Sequence, residues 1–338
     1  MDAIVLVGGQ GTRLRPLTLT RHKSLVPICN RPYMEYLFDW LRRSGFERVI
    51  LALGQNNEDL AEAYPPGRRD GLEVVIVQEH ARLESGGAIR NAFREARIEG
   101  RFAVVNGDVM LDFDFKQALA AHEAAKAELT LALYEMSDVS QFGVAVTDAN
   151  GMVIGFVEKP PLGTEPSTLV NAGAWIFEPQ LIGDIPPGPV RVEETLFPSL
   201  VGRGRRVLGY RFEGLWADVG TAARYLAVNQ ALLERGERCT AETATVARGA
   251  SVESSCVGER TSIAAGAQVR RSVLWENVTV GEGAVVEDSV LADGVIVGAG
   301  ATLRGTVAGR NAHIGPHTLA LPGTSIDPGA RYDAGNER

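Results

Sequence analysis

The chain reads as an α/β sheet domain followed by a parallel β-helix, and three observations carry that reading. Strand-like and helix-like segments alternate up to about residue 235, as they do in βαβ units built on a mostly parallel sheet. Past residue 240 helical periodicity vanishes, and Trp275 and Tyr332 are the only aromatic residues. In that tail Val257, Ile263 and Val269 stand six apart, as do Val285, Leu291, Val297 and Leu303. A hexapeptide apolar period belongs to a β-helix, in which each short strand points one residue into a narrow core.

Taken in order, Ala3–Val7 is a buried strand running into the glycine-rich loop "GGQGTRL". Residues 32–44 form a helix: Met34, Leu37, Phe38 and Leu41 follow its period, Pro32 suits the first turn, and Gly45 can stop it. "RVILAL" (48–53), "EVVIVQ" (73–78) and "RFAVVN" (101–106) are strands, and residues 86–97 and 115–127 are helices. Two strands around an Asn150-Gly151 turn make residues 130–178 strand-rich, a segment expected to cover one end of the sheet. A helix over 221–234 closes this part, so the boundary is placed at 1–238 and 239–338. The two hexapeptide series are out of register, which predicts an irregular coil near 270–284 in a stack of about four coils of ~18 residues.

With 45% hydrophobic and 22% charged residues, the 338-residue chain can build packed cores. Its net charge of -8 excludes a general nucleic-acid binder, so an anionic ligand must find a local basic patch. Residues 3–34 supply one: they hold Arg13, Arg15, Arg21, Lys23 and Arg31 and no acid, where average composition would place about four. Cys29, Cys239 and Cys256 are too widely spaced to read as a disulfide framework or a zinc site. The first apolar run is too short for a signal peptide, and no stretch approaches the roughly 20 apolar residues of a membrane span, so a cytoplasmic location without membrane partner is expected.

The glycine loop lacks the Gly-Lys-Ser/Thr ending of a Walker loop, and Leu14 stands where a dinucleotide fingerprint needs its third glycine. What remains is a turn whose N–H groups can converge on an anion, with Gly8, Gly9 and Gly11 free of Cβ and Arg13 adding a planar fork. "GGQGTRLRPLT" followed by Lys23 in "HKSLVPI" resembles the signature of the nucleotide-sugar pyrophosphorylases, the sugar-1-phosphate nucleotidyltransferases, with His22-Lys23-Ser24 in place of the usual Pro-Lys-Pro. "LESGGAI", "VVNGDV", "FGV", "FVEKP", "VNAGAWIF" and "GLWADVG" follow in the order of that family's motifs, over roughly residues 1–235. The pattern looks most similar to the mannose-1-phosphate guanylyltransferases.

That resemblance implies a Rossmann-like mixed sheet in the nucleotidyltransferase domain and a left-handed β-helix as its appendage. It implies Mg²⁺-dependent transfer of a nucleotidyl group, most simply from GTP, to a sugar 1-phosphate, most simply mannose 1-phosphate. Arg13 and Lys23 are then the catalytic cations. Leu6, Gly8, Gly9, Gly11, Thr12, Leu83, Glu84, Gly87, Asn106 and Gly107 bind the nucleotide. Gly143, Glu158, Lys159 and Asn171 bind the sugar phosphate, and Asp108 and Asp218 hold the metal. Each has a plainer role open to it: Asp108 as a turn former, Asp218 as a cap for helix 221–234, Glu158-Lys159 as an edge-strand charge pair, Gly143 as a bulge, Glu84 as a helix N-terminal charge. The competing activities are uridylyl, thymidylyl or adenylyl transfer, an acyltransferase using His313 or His317 of the β-helix, and a non-catalytic regulatory relative. The tail is expected to mediate homo-oligomerisation.

Overall fold

The computed structural model describes residues 1–333 apart from Asn56 and Arg238. The chain forms two compact units, one of Met1–Gly9 with Tyr36–Ala217, the other of Gln10–Glu35 with Asp218–Arg338.

The first unit is built on one ten-stranded sheet. Its main path runs Val153–Glu158, Gly143–Thr147, Leu169–Phe177, Phe102–Asn106, Asp2–Val7, Arg48–Leu53, Leu72–Gln78 and Gly67–Arg69. Leu129–Glu135 also pairs with Leu169–Phe177, and carries Val207–Arg211 on its other side. The four strands Phe102–Asn106, Asp2–Val7, Arg48–Leu53 and Leu72–Gln78 are parallel, as the alternation predicts. Their near-continuous apolar runs are buried because helices such as Glu84–Glu95 cover a face; Ile4, Ile50, Val104 and Ile89 are wholly inaccessible. Parallel register brings the carboxyl ends of these strands to one edge, where Gly8, Glu79 and Gly107-Asp108 follow directly.

Several boundaries differ from expectation. The helix after the basic segment starts at Tyr33, and Pro32 instead pairs with Pro27 in a two-residue hairpin. Helix Glu84–Glu95 begins two residues before its glycines, and Phe115–Ala124, capped by Asp114, ends three residues early. The strands within 130–178 join the main sheet antiparallel rather than covering its end.

In the second unit, residues beyond 240 form three stacks of short parallel strands with six, five and five members. The stack is longer than four coils, and its coil is 17 residues: Ser262, Thr279, Ile296 and His313 pair in succession. Inward residues therefore advance by six, six and then five. Val257, Ile263 and Val269 are followed by Leu274, Val280, Val286, Leu291, Val297 and Leu303, all buried in one core. No irregular coil occurs at 270–284; the change of register is a five-residue corner that recurs every 17 residues as far as Leu303 to Ala308, and the last coil, which pairs Val307 with Ser325 and His313 with Arg331, is 18 residues. Val285 is consequently half-buried, and Val286 points inward. Each short corner buries a backbone N–H, and a hydroxyl column satisfies it: Ser255 Oγ accepts from Ser272 N at 3.0 Å, Ser272 Oγ from Ser289 N and Ser289 Oγ from Thr306 N at 3.1 Å.

Gln10–Glu35 packs within this same unit. Arg21 pairs with Asp293 at 2.7 Å and lies 4.9 Å over the ring of Trp275. Trp275 Nε1 donates to Tyr225 Oη at 3.0 Å, and Tyr225 donates to the carbonyl of Pro27. The three cysteines, unpromising by spacing, converge: their sulfurs all lie within 4.8 Å of one another and all three residues are buried. Hydrogen bonds from Cys256 and Cys29 hold the Cys239 thiol well below its ordinary value.

Candidate active site

Within the first unit, Leu6 is half-buried at the end of strand Asp2–Val7, and Gly8 and Gly9 emerge exposed after it. Asn57 Nδ2 donates to the carbonyl of Val7 at 2.9 Å and fixes the exit of the chain. Gly54 is required here, because a Cβ on it would stand 2.8 Å from Gly8 Cα. The next strand along, Leu72–Gln78, ends in Glu79, which is only 6% exposed. Glu79 Oε2 accepts from Leu83 N at 3.2 Å, and Oε1 lies 3.6 Å from where a Cβ on Gly8 would stand. Burial raises its pKa against that single backbone hydrogen bond.

Leu83 and Glu84 lead into helix Glu84–Glu95, with Glu84 in ion pairs to Arg82 at 2.7 Å and Arg191 at 3.2 Å. Gly87 faces the 188–190 loop, where a Cβ would meet the Gly188 carbonyl at 2.5 Å. Its glycine is thus explained by packing of helix on loop. Ser85 Oγ donates to Glu193 at 2.6 Å, and burial pushes the Glu193 carboxyl up.

Asn106 closes strand Phe102–Asn106, and Gly107 N donates to Leu6 O at 2.8 Å. A Cβ on Gly107 would lie 2.3 Å from Val7 Cγ1, so only glycine lets this turn lie against the glycine loop's own strand. Asp108 follows, half-buried, in the turn to Val109–Asp112. On the far side, Gly143 is buried with a would-be Cβ 2.6 Å from Phe156 and 2.7 Å from Glu158 Oε2; the bulge lies at Val146/Thr147 instead. Glu158 and Lys159 pair at 3.1 Å at the end of the sheet's edge strand, with the lysine side chain 53% exposed. Asn171 Oδ1 accepts from Trp175 Nε1 at 2.7 Å, which fixes the side chain's orientation.

In the second unit, Gly11 has φ 60, the left-handed turn that glycine favours, and its carbonyl accepts from Thr18 Oγ1 at 2.7 Å. The short turn Thr12–Leu14 leaves Thr12 and Arg13 exposed. Lys23 is only 8% exposed, in the turn Lys23–Leu25 that His22 Nδ1 caps by accepting from Ser24 N at 3.1 Å. Asp218 Oδ1 accepts from Gly220 N at 2.7 Å and Arg224 Nη1 at 3.1 Å. The helix cap is Thr221, not Asp218. Arg13 Nη2 lies 3.1 Å from where a Cβ on Gly220 would stand and Asp218 Oδ1 2.3 Å, so this unit brings Arg13 and Asp218 to the same glycine.

Residues 2–235 match the nucleotidyl transferase family, and residues 237–321 match the GlmU-like C-terminal hexapeptide family. The chain belongs to the nucleotidyl transferase family. Among its relatives is a mannose-1-phosphate guanylyltransferase from Mycobacterium tuberculosis, 35% identical over 74% of this chain and 72% of the relative. A UTP–glucose-1-phosphate uridylyltransferase from Synechocystis is 31% identical over 70% of this chain and 64% of the relative. The catalytic subunit beta of mannose-1-phosphate guanylyltransferase from Danio rerio is 34% identical over 67% and 63%. The nucleotidyl transferase is thus of the sugar-1-phosphate group, and its relatives' names include both guanylyl and uridylyl transfer.

Sequence reasoning missed Glu79, Asn57 and Arg224 in this nucleotidyl transferase. Glu79 carried a legible signal, since it follows a strand's carboxyl end just as Asp108 does. Arg224 had none, because its partnership with Asp218 depends on the turn at Gly220. Among the described residues no helix is long and apolar enough to cross a membrane.

Proposed function

We propose that the protein transfers the guanylyl group of GTP to mannose 1-phosphate, releasing pyrophosphate and GDP-mannose. The observation that carries the base assignment is Glu79. Guanine presents two adjacent donors, N1–H and the N2 amino group, and a carboxylate offers two acceptor oxygens to match them. Uracil has a single ring N–H between two carbonyls, and adenine has no N1–H. A buried carboxylate beside Gly8, held by one backbone hydrogen bond, therefore suits guanine. The guanylyl-transferring relatives agree with this choice.

The rest of the machinery follows from charge. An oxygen of the sugar phosphate attacks the α-phosphorus in line; the bond from that phosphorus to the β-bridging oxygen breaks, and pyrophosphate leaves. The attacking phosphate is already ionised, so no general base is needed, and catalysis is positioning plus neutralisation of charge. Arg13 and Lys23 steady the triphosphate and the leaving pyrophosphate, with Gly8, Gly9 and Gly11 letting the backbone approach. Lys159 meets the sugar phosphate, and Glu158 and Asn171 meet sugar hydroxyls. Asp108 and Asp218 offer the hard oxygen donors that Mg²⁺ prefers; Arg224 and Gly220 N–H hold one Asp218 oxygen and thereby orient the other. When bound, Mg²⁺ neutralises phosphate charge.

We assign catalysis to residues 1–238 and homo-oligomerisation to the β-helix of residues 239–338. The match of residues 237–321 to the hexapeptide family supports the second assignment. The deciding experiment combines the four nucleoside triphosphates with several sugar 1-phosphates in Mg²⁺ and follows pyrophosphate release. Turnover highest with GTP and mannose 1-phosphate is expected; preference for UTP would overturn the base assignment, and no turnover in any pair would overturn the enzyme.

A further inference from the structure

We propose that Cys29, Cys239 and Cys256 form a binding site for one thiolate-seeking d¹⁰ metal ion, Zn²⁺ or Cu⁺. None of the three cysteines is among the residues proposed to hold Mg²⁺ or substrate.

The chain has three cysteines in 338 residues, and all three meet at one point. They come from three different places: a tight hairpin, the segment after helix Ala222–Glu234, and the first coil of the β-helix. Cys29 Sγ and Cys256 Sγ are 3.9 Å apart. A disulfide needs about 2.05 Å, whereas two sulfurs bound at about 2.3 Å to a common ion are separated by about 3.8–4.0 Å in tetrahedral or trigonal geometry. The Cys29–Cys256 spacing is too long for a disulfide and fits two sulfurs on one ion, and Cys239 Sγ lies within 4.8 Å of both.

Two features indicate that sulfur, rather than bulk, is what these positions hold. Cys256 pairs with Val273, Val273 with Val290, and Val290 with Val307 along one column of the β-helix. Valine serves that column in the next three coils and Ser325 in the last, whereas the coil beside the other two thiols carries cysteine. Cys29 has φ 45 and Asn30 has φ 60 in the turn joining Pro27–Ile28 to Arg31–Pro32. Asparagine and glycine are the residues that suit such a turn, so a cysteine is held there against its backbone preference.

Asn229 completes the surroundings. It is fully buried, its Oδ1 accepts from Cys29 N at 2.8 Å, and that oxygen lies 3.5 Å from Cys256 Sγ. Three thiolates with this oriented oxygen make a four-donor set for Zn²⁺; the three sulfurs alone suit trigonal Cu⁺. Binding exchanges thiol protons for the ion and leaves sulfur oxidation state unchanged. The ion would tie Gln10–Glu35, which carries Arg13 and Lys23, to the first coil of the β-helix within the same unit.

The test is elemental analysis of the full-length protein, purified under thiol-reducing, metal-depleted conditions and then loaded separately with Zn²⁺ or Cu⁺. About one equivalent of one of these ions per chain, resistant to a weak chelator, is expected. The double variant Cys29→Ser/Cys239→Ser should lose that equivalent while keeping its circular dichroism spectrum. Should that variant fail to fold, Co²⁺ and Cu⁺ added separately to the unaltered protein decide: intense sulfur-to-cobalt charge-transfer absorption or ultraviolet thiolate-to-Cu⁺ absorption supports the site, and the absence of both overturns it. Less than about a tenth of an equivalent after loading, equal loading of the folded variant, or a Cys29–Cys256 disulfide in the reduced preparation would each overturn the proposal.

Discussion

Replacing Glu79 by glutamine isolates the base-reading charge. The glutamine amide can keep its carbonyl oxygen for Leu83 N, so the hydrogen bond of 3.2 Å in the parent survives and the fold should hold. The amide NH₂ then occupies the position of Oε1, the atom 3.6 Å from the would-be Cβ of Gly8. A guanine donor that met a carboxylate now meets a donor. Hydrogen bonds to charged groups contribute about 1.5–3 kcal/mol, which corresponds to roughly 10- to 150-fold in kcat/KM. The loss should fall on GTP and leave UTP, already poor, nearly unchanged, so the GTP-to-UTP ratio drops by that factor. The assay is pyrophosphate release with each nucleotide across its concentration range, with thermal unfolding as the control. An unchanged ratio in a stably folded variant would refute the assignment of Glu79 to the base.

Asp108→Asn should abolish Mg²⁺-supported turnover while leaving the unfolding transition in place; full activity would remove Asp108 from the metal site. Gly107→Ala forces a methyl to 2.3 Å from Val7 Cγ1 and 2.8 Å from Leu6 O, an overpacking cost of about 1–3 kcal/mol that denaturant titration would register. Leu291→Ala empties a fully buried position of the β-helix and should destabilise by about 2–5 kcal/mol, read as an earlier transition of the tail. Stability should also respond to acid through His122, which is wholly buried between Thr130 and Glu178. Burial lowers its pKa from the ordinary 6.5, despite the Glu178 hydrogen bond, so the folded state disfavours the proton. Its contribution is intact above about pH 6.5 and declines as pH falls below that value toward the lower folded pKa. His122→Gln should flatten that limb of the Tm–pH curve, and an unchanged slope would count against it.

The two halves of the sequence were legible for different reasons. In the first unit the alternation of buried runs and amphipathic helices reports backbone periodicity directly, and the loop "GGQGTRL" reports a chain that must approach an anion without Cβ atoms. Boundaries slipped where local competition decided them, as at Pro32, whose hairpin pairing with Pro27 takes it out of the helix. In the tail the six-residue beat identified the β-helix, yet its apparent break at 270–284 was a five-residue corner that recurs in each 17-residue coil and is missing only from the last, 18-residue one. A second signal marked that corner: Ser255, Ser272, Ser289 and Thr306 stand 17 apart, because each coil buries the same N–H and needs the same hydroxyl.

By itself, then, the sequence determined what periodicity and composition can encode: parallel strands, a β-helix, a basic glycine loop, and acids at strand ends. Tertiary structure alone decided what depends on convergence of distant residues. Asp218 gained Arg224 and a shared glycine with Arg13 through one turn, and Glu79 became a buried carboxylate because parallel register places it beside Gly8. Three cysteines that spacing dismissed became one cluster, since a hairpin and a first coil bring together residues 29, 239 and 256. Spacing along a chain reports neighbours within an element; only the packing of elements reports neighbours in space.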